Sequence, residues 1–341
     1  MWMSELCHVR ISILSLKVSS IKKPFTFTSR QILPSIDILR QILPSIDILF
    51  QTMADSKPAT RHLIAMYQGN LKEGKQQQLA EMEKQMGRAA AVKAELIVFP
   101  ELFLLGYQPK VKDIQAAAEK RDGPSFQRLS GIAKKLNIAV LYGYPEVDAQ
   151  SGRAVYYNSA QLIDNDGKSL VNYRKLHLWN EPKDDVYNSS IVDPYESELF
   201  TPGKEFAPVV ECCGMKIGIL ICFDVEFPES VRTLALRGAQ LVAVPTATLM
   251  HHEYKSLNRQ LIPTRARENR IHVAYTNLCD GKTFPGYSAC CNPEGDAVGT
   301  GGPHESLILA VVVPDGYKYL HGYLHDRRPS IYNELTKEQP K

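Results

Sequence analysis

One stretch limits what this chain can become more than any other: residues 216–248, KIGILICFDVEFPESVRTLALRGAQLVAVPTAT. Ile217 to Ile221 is an unbroken apolar run of the kind buried on both faces of a sheet. Cys222 stands where the run stops. Asp224, Glu226 and Glu229 follow, and Pro228 opens a helix, since its missing N–H would be unpaired there in any case. Val231, Leu234 and Ala235 give that helix an apolar face, and Arg237-Gly238 ends it. Leu241 to Val244 then reads as a second buried strand. Strand, elbow, helix, strand is the unit of a parallel α/β sheet. It holds a thiol rigidly at a sheet edge, beside a helix end whose positive field favours thiolate. Taken alone, Cys222 is more often one more small buried apolar residue. The rest of the chain decides between the two readings.

The remainder follows the same plan. His62 to Tyr67, Glu95 to Pro100, Ile138 to Tyr142, Val155 to Ile163, Leu170 to Lys175, Pro208 to Cys212 and Ile271 to Asn277 read as strands. Gly74 to Ala94, Pro124 to Lys135 and His252 to Arg267 read as helices. A last pair of strands is expected at Tyr287 to Cys291 and Ser306 to Val313, separated by a turn at Asn292-Pro-Glu-Gly295. Strands alternating with helices make the class α/β. Leu178 to Gly203 is long, polar and aperiodic, and loops of that length inside a domain usually carry function.

Residues 1–52 stand apart. They contain the direct repeat QILPSIDIL at positions 31–39 and 41–49, too few copies for a solenoid. Three readings compete: a leader translated from an upstream start with Met53 as the working initiator, which we favour; a mitochondrial transit peptide; and a partner-binding arm. The expected organisation is a leader over 1–59, one domain over 60–313 and a polar, aromatic-dotted tail over 314–341. Of the 40 basic and 37 acidic residues, residues 1–52 hold six and three, leaving 34 of each in the body. A neutral body has no field to draw nucleic acid or an anionic membrane. The seven cysteines include two adjacent pairs and no Cys-x-x-Cys, which is neither a disulfide framework nor a zinc pattern and fits a reducing, cytoplasmic location.

Three polar residues close apolar runs: Glu101 after Leu-Ile-Val-Phe-Pro, Lys175 after Tyr-Arg, and Cys222. Singly, Glu101 reads as a salt-bridged rim residue and Lys175 as a solvated strand end. Together they form a nucleophile set. The lysine lowers the thiol's pKa and steadies an oxyanion, the glutamate moves the proton, and the Phe223 N–H is a second oxyanion donor.

Phe99-Pro-Glu101 with Gly106-Tyr107, Tyr173-Arg-Lys175-Leu-His-Leu and Gly218-Ile-Leu-Ile-Cys222-Phe-Asp-Val-Glu-Phe-Pro-Glu229, in this order, resemble the three signatures of the carbon–nitrogen hydrolase (nitrilase) superfamily from about His62 to Glu305. The resemblance implies an αββα sandwich that pairs into a four-layer dimer. It implies Glu101 as general base, Lys175 as electrostatic stabiliser and Cys222 as nucleophile, with no metal or organic cofactor. The reaction implied is hydrolysis of a small linear amide to acid and ammonia through a thioester. A second glutamate that orients substrate and lysine is assigned to Glu196, in Glu196-Ser-Glu-Leu-Phe-Thr-Pro-Gly203, with Glu181 as rival. Tyr107, Phe223 and Glu226 are expected to touch substrate. Met66-Tyr-Gln-Gly69, Tyr142-Gly-Tyr-Pro-Glu146, Tyr157-Asn-Ser159 and Val244-Pro-Thr-Ala247 resemble the small aliphatic amidase branch, including 5-aminopentanamidase-like and stereoselective amidases. True nitrilases tend to have Trp where Phe223 stands. Nitrilase or N-carbamoyl amidohydrolase activity is the alternative, and a catalytically silent scaffold the alternative from another class.

Other residues are read as structural: His177 as a hydrogen-bonded support, Cys212-Cys213 and Cys290-Cys291 as packing residues on opposite faces of a strand, and Arg265, Glu268 and Asn269 as a buried ion-pair cluster under the sheet. His251-His252 lacks an i,i+4 partner histidine and is not read as a metal site.

Overall fold

Short apolar runs become strands here because both of their faces are covered. In chain order the elements are β1 (His62–Gln68), α1 (Gly74–Ala91), β2 (Leu96–Val98), α2 (Pro124–Leu136), β3 (Ala139–Gln150), β4 (Arg153–Ile163), β5 (Ser169–Arg174), a single turn α3 (Glu196–Leu199), β6 (Val210–Cys212), β7 (Met215–Ile219), a 3-10 turn (Cys222–Glu226), α4 (Pro228–Leu236), β8 (Leu241–Thr246), α5 (Ile262–Asn269), β9 (His272–Asn277), β10 (Ala289–Cys291), β11 (Ala297–Thr300) and β12 (Ser306–Val312). This computed structural model describes residues 59–106, 114, 116–150, 152–180, 196–250, 257–318, 320 and 322–338. They belong to one compact unit, Ala59–Lys341.

Among the described residues the strands form two six-stranded sheets, ordered β12-β1-β2-β3-β4-β5 and β11-β10-β9-β8-β7-β6. Each has a parallel trio at its heart. Ile64 pairs with Leu96 and Leu96 with Ala139 in the first; Ile217 pairs with Leu241 and Leu241 with His272 in the second. Side chains alternate along each strand, so one face of the first sheet (Ile64, Met66, Leu96, Val98, Leu141, Leu162, Tyr173) packs into a core shared with Ile217, Ile219, Val242 and Val244. The opposite face (Ala65, Tyr67, Ile97, Phe99, Val140, Tyr142) takes α1 through Leu79, Met82 and Met86, and α2 through Leu129, Ile132 and Ala133. Val231 and Leu234 of α4 and Ile262 and Ala266 of α5 pack with the second sheet. The layers are helix, sheet, sheet, helix, as expected. No described helix is long and apolar enough to cross a membrane.

Several expectations are corrected. The strands at Tyr287 to Cys291 and Ser306 to Val313 are not a pair. β10 pairs with β11, a four-residue strand hidden by its glycine, while β12 crosses to the other sheet and runs antiparallel to β1 from His62↔Val312 to Gln68↔Ser306. The strand begun at Ile138 runs on to Gln150, because eleven registered pairs with β4 extend it past Gly143. The helix expected from His252 begins, among the described residues, with a π turn at Leu257–Leu261; residues 251–256 lie outside them. Within Leu178 to Gly203, Glu196–Leu199 forms a helical turn and 181–195 lie outside the described residues.

One buried side chain makes the fold acid-sensitive. His272, 1% exposed at the start of β9, accepts the Val313 N–H on Nε2 at 3.4 Å. Burial pushes its pKa from 6.5 down to about 4, the backbone of Gln240 opposing only in part. In the unfolded chain the imidazole takes up its proton first, so stability is full above pH 6.5 and falls as pH drops toward 4. That loss is about 3 kcal/mol. Urea unfolding across this window is expected to show it, and His272→Gln to flatten it.

Candidate active site

Three strand ends and one returning loop supply the site. β2 delivers Phe99, Pro100 and then Glu101, after which Leu102 turns with φ of 47°. This turn lies so close to β3 that a Cβ on Gly143 would sit 2.4 Å from the Leu102 nitrogen and 2.8 Å from the Glu101 Cα. Glycine is required there because backbone meets backbone. The Glu101 N–H reaches across to the Thr246 carbonyl at the end of β8, 3.4 Å away. β5 ends at Arg174, and the Lys175 N–H bonds the Asn158 carbonyl of β4 at 2.9 Å. The Gly203 N–H then bonds the Lys175 carbonyl at 2.8 Å. A Cβ on Gly203 would lie 2.4 Å from the Arg174 oxygen, which explains the glycine that ends the Glu196 pattern.

The side chains converge into a buried charge array. Lys175 Nζ donates to Glu101 Oε1 at 2.8 Å, and to Glu196 Oε1 and Oε2 at 3.0 and 2.8 Å. All three side chains are buried. Asn158 Nδ2 spans the two carboxylates, donating to Glu101 Oε1 at 2.7 Å and Glu196 Oε1 at 2.6 Å. The Trp179 N–H donates to Glu196 Oε2 at 2.7 Å. Burying one cation with two anions leaves a net negative charge in a dry place, which favours the protonated acid. Burial accordingly raises the Glu101 pKa, Lys175 opposing and Glu196 adding to the rise. Glu101 Oε2 is buried and makes no hydrogen bond among the described residues, so it remains available to take a proton.

Cys222 opens the 3-10 turn with φ of 46°, a left-handed conformation uncommon for a non-glycine residue and one that clusters at functional sites. The expectation that its surroundings favour thiolate is corrected. Burial and then the Glu101 charge push the Cys222 thiol up, and Lys175 with the Ala247 N–H only partly offset them. The thiol is thereby pushed toward its neutral form, within the field of the Glu101 carboxyl group. A neutral thiol with an acid close by is what activation by a base would need, in place of a standing thiolate.

A second network fastens this elbow to the lysine. Asp224, fully buried, accepts the Tyr173 hydroxyl (2.8 Å) and the Ile221 N–H (3.1 Å) on Oδ2, and the His177 N–H (2.9 Å) on Oδ1. His177 Nδ1 lies 2.8 Å from Oδ1. The carboxylate two residues after the thiol thus binds residues two before and two after Lys175. His177 stacks on Phe227 at 3.9 Å, and Phe223 meets Phe227 edge-on at 5.1 Å. From the other side, Arg265 donates from Nε to the Val225 carbonyl at 2.9 Å and from Nη2 to the Glu226 carbonyl at 2.7 Å. Its pair with Glu268 at 3.1 Å is as expected, but the cluster holds the thiol's turn rather than merely underpinning the sheet.

The structure thus brings together Glu101, Lys175, Glu196 and Cys222. Phe223 is half-buried on the same elbow. Glu226 is exposed at the end of its turn, and its charge acts on the thiol. Tyr107 and Glu181 lie outside the described residues. Sequence reasoning missed the roles of Asn158 and Asp224. A buried asparagine inside an apolar strand was the available signal for the first, and an acid two residues past a candidate nucleophile for the second.

Replacing Asp224 by Asn removes acceptor capacity without changing size. The expected result is a loss of about 2–3 kcal/mol in stability. Amide turnover is expected to fall on the order of 10²-fold in kcat with a smaller change in KM, because the thiol moves relative to the lysine. Steady-state kinetics with urea unfolding on the same sample checks both.

The carbon-nitrogen hydrolase family model matches residues 63–317. A Pseudomonas protegens protein described as "Hydrolase in pqqF 5'region" is 39% identical over 72% of this chain and 82% of its own length. The (R)-stereoselective amidase of a Pseudomonas species is 32% identical over 71% and 83%. An amidase from Nesterenkonia sp. superposes with a TM-score of 0.66 at 30% identity, covering 82% of this chain and 98% of that one. A glutamate-to-glutamine variant of it shows Michael addition of acrylamide at its active-site cysteine. With its fold, its buried charge array and its cysteine elbow, the chain belongs to the carbon–nitrogen hydrolase family, as an amidase-type hydrolase of the nitrilase superfamily.

Proposed function

We propose that this enzyme hydrolyses a small linear amide to a carboxylic acid and ammonia through a thioester on Cys222. The observation that carries the reading is the single buried array joining Glu101, Lys175 and Glu196, with the Glu101 charge acting on the Cys222 thiol. Glu101 Oε2 takes the thiol proton as Sγ attacks the amide carbon. The Phe223 N–H, in the first turn of the elbow where amides lack intrahelical acceptors, and the Lys175 ammonium meet the developing oxyanion. Glu101 returns the proton to the departing nitrogen, and ammonia leaves. Water then enters, gives a proton to Glu101, and attacks the thioester carbon; collapse releases the acid and restores the thiol. Glu196 holds Lys175 in place, and Asn158 keeps the two carboxylates apart by giving each an N–H. Phe223, Glu226 and Tyr107 are proposed to line the substrate's path. Exposed Glu226 adds negative charge near the nucleophile, which favours neutral or amine-bearing amides over those ending in a carboxylate. Two copies are proposed to pair into the four-layer dimer, which light scattering on the full chain tests.

Cys222→Ser and Glu101→Gln are each expected to lower ammonia release from simple aliphatic amides by on the order of 10³-fold or more. Turnover retained in Cys222→Ser would refute the mechanism. The pH profile gives a second check. Glu101 must be ionised to act as base, and its pKa is raised, so kcat/KM is expected to fall as pH drops through a value above the ordinary carboxylate 4.5. A nitrile and its amide assayed side by side separate amidase from nitrilase.

A further inference from the structure

The two adjacent cysteine pairs differ. Cys290 and Cys291 lie within β10, both fully buried. Cys212 and Cys213 do not share a strand: β6 ends at Cys212, which pairs with Met215 of β7, so Cys213 and Gly214 form a two-residue hairpin loop. Both have positive φ, 53° and 73°, the geometry of a type I′ turn. Asn-Gly is the usual occupant of that turn, and a cysteine in its first position is conformationally costly. The turn abolishes the strand alternation that would part the two side chains. Their Sγ atoms lie 3.6 Å apart, and Cys213 Sγ also donates to the Glu95 carbonyl at 3.3 Å. Both thiols are free. Cys212 is buried, whereas Cys213 is half-buried and lines a surface cavity of about 400 Å³ with Lys93, Glu95, Asn137 and Asn165.

We propose that Cys212 and Cys213 form a dithiol site that captures a trivalent arsenical, both sulfurs binding one arsenic atom. The site goes beyond amide hydrolysis and lies at the opposite end of β7 from Cys222. With a monosubstituted arsine oxide, two As–S bonds form, and the oxygen leaves as water with the two thiol protons. Arsenic stays trivalent, so no oxidant is needed. The sulfurs already stand close together in the folded chain, so the second bond forms at high effective concentration. Closing a disulfide instead is disfavoured, because successive Cα atoms lie about 3.8 Å apart, below the roughly 4.4–6.8 Å that unstrained disulfides span. The pair therefore stays reduced and open to chelation.

The test is electrospray mass spectrometry of the full chain after phenylarsine oxide, followed by a monothiol wash. One adduct is expected to survive the wash on the wild type and on Cys222→Ser, and to be removed by 2,3-dimercaptopropanol. Cys213→Asn restores the preferred Asn-Gly turn and so preserves the fold, which a thermal melt verifies. It is expected to lower retention roughly a hundredfold, as is Cys212→Ala. An adduct that survives in Cys213→Asn, that disappears in Cys222→Ser, or that is not retained by the wild type overturns the proposal.

Discussion

The rest of the site answers to one electrostatic problem, an ammonium buried with two carboxylates. Lys175 is buried, so its charge is stabilised by keeping Glu101 and Glu196 within hydrogen-bond distance. The two carboxylates in turn repel one another and need donors between them, which Asn158 supplies from the strand that pairs with Lys175. An aspartate in its place would add a third anion and no donor. The array has one negative charge in excess, and that excess suits catalysis. Burial first and the Glu196 charge after it raise the Glu101 pKa, and burial with the Glu101 charge pushes the neighbouring thiol up.

Placing the sulfur beside that array is a separate task, because the parts come from different sheets. Glu101 and Lys175 follow β2 and β5 of one sheet, whereas Cys222 follows β7 of the other. Core packing aligns the sheets but specifies the meeting point less finely than directional bonds do. Asp224 provides those bonds, tying the cysteine's elbow to the residues flanking the lysine, and the Glu101 amide bonded to Thr246 adds a third tie between the sheets. Arg265 closes the far side of the same turn.

Much of this was legible in the chain before any coordinates. Glu101, Lys175 and Cys222 each stand at a strand end; singly each reads as structural, and only the three together, in motifs that resemble a known family, pointed to a site. Strands that alternate with amphipathic helices gave the α/β class, and the resemblance of three motifs to the carbon–nitrogen hydrolases implied the layer order. Asn158 and Asp224 did not announce their roles. An asparagine in a strand reads as one more hydrogen bond, and an acid ahead of a helix reads as a charge at its positive end. The partner of β12 was illegible for a different reason: its alternating pattern shows which residues face inward, but pairing across some 240 residues leaves no local trace. The turn at Cys213 was misread as strand because type I′ geometry is usually signalled by asparagine, which is absent there.

The Glu196 segment leaves β5 at Lys175 and comes back to it. The Trp179 amide on Glu196 closes the excursion at one end, and the Gly203 amide on the Lys175 carbonyl, with Thr201 bonded to Tyr156, closes it at the other. Both ends of the excursion are thereby pinned beside Lys175 by backbone bonds. Closing a longer excursion costs only about 0.6 kcal/mol per doubling of length. A change of length between the clasps therefore costs little at the Lys175–Glu196 pair that they hold.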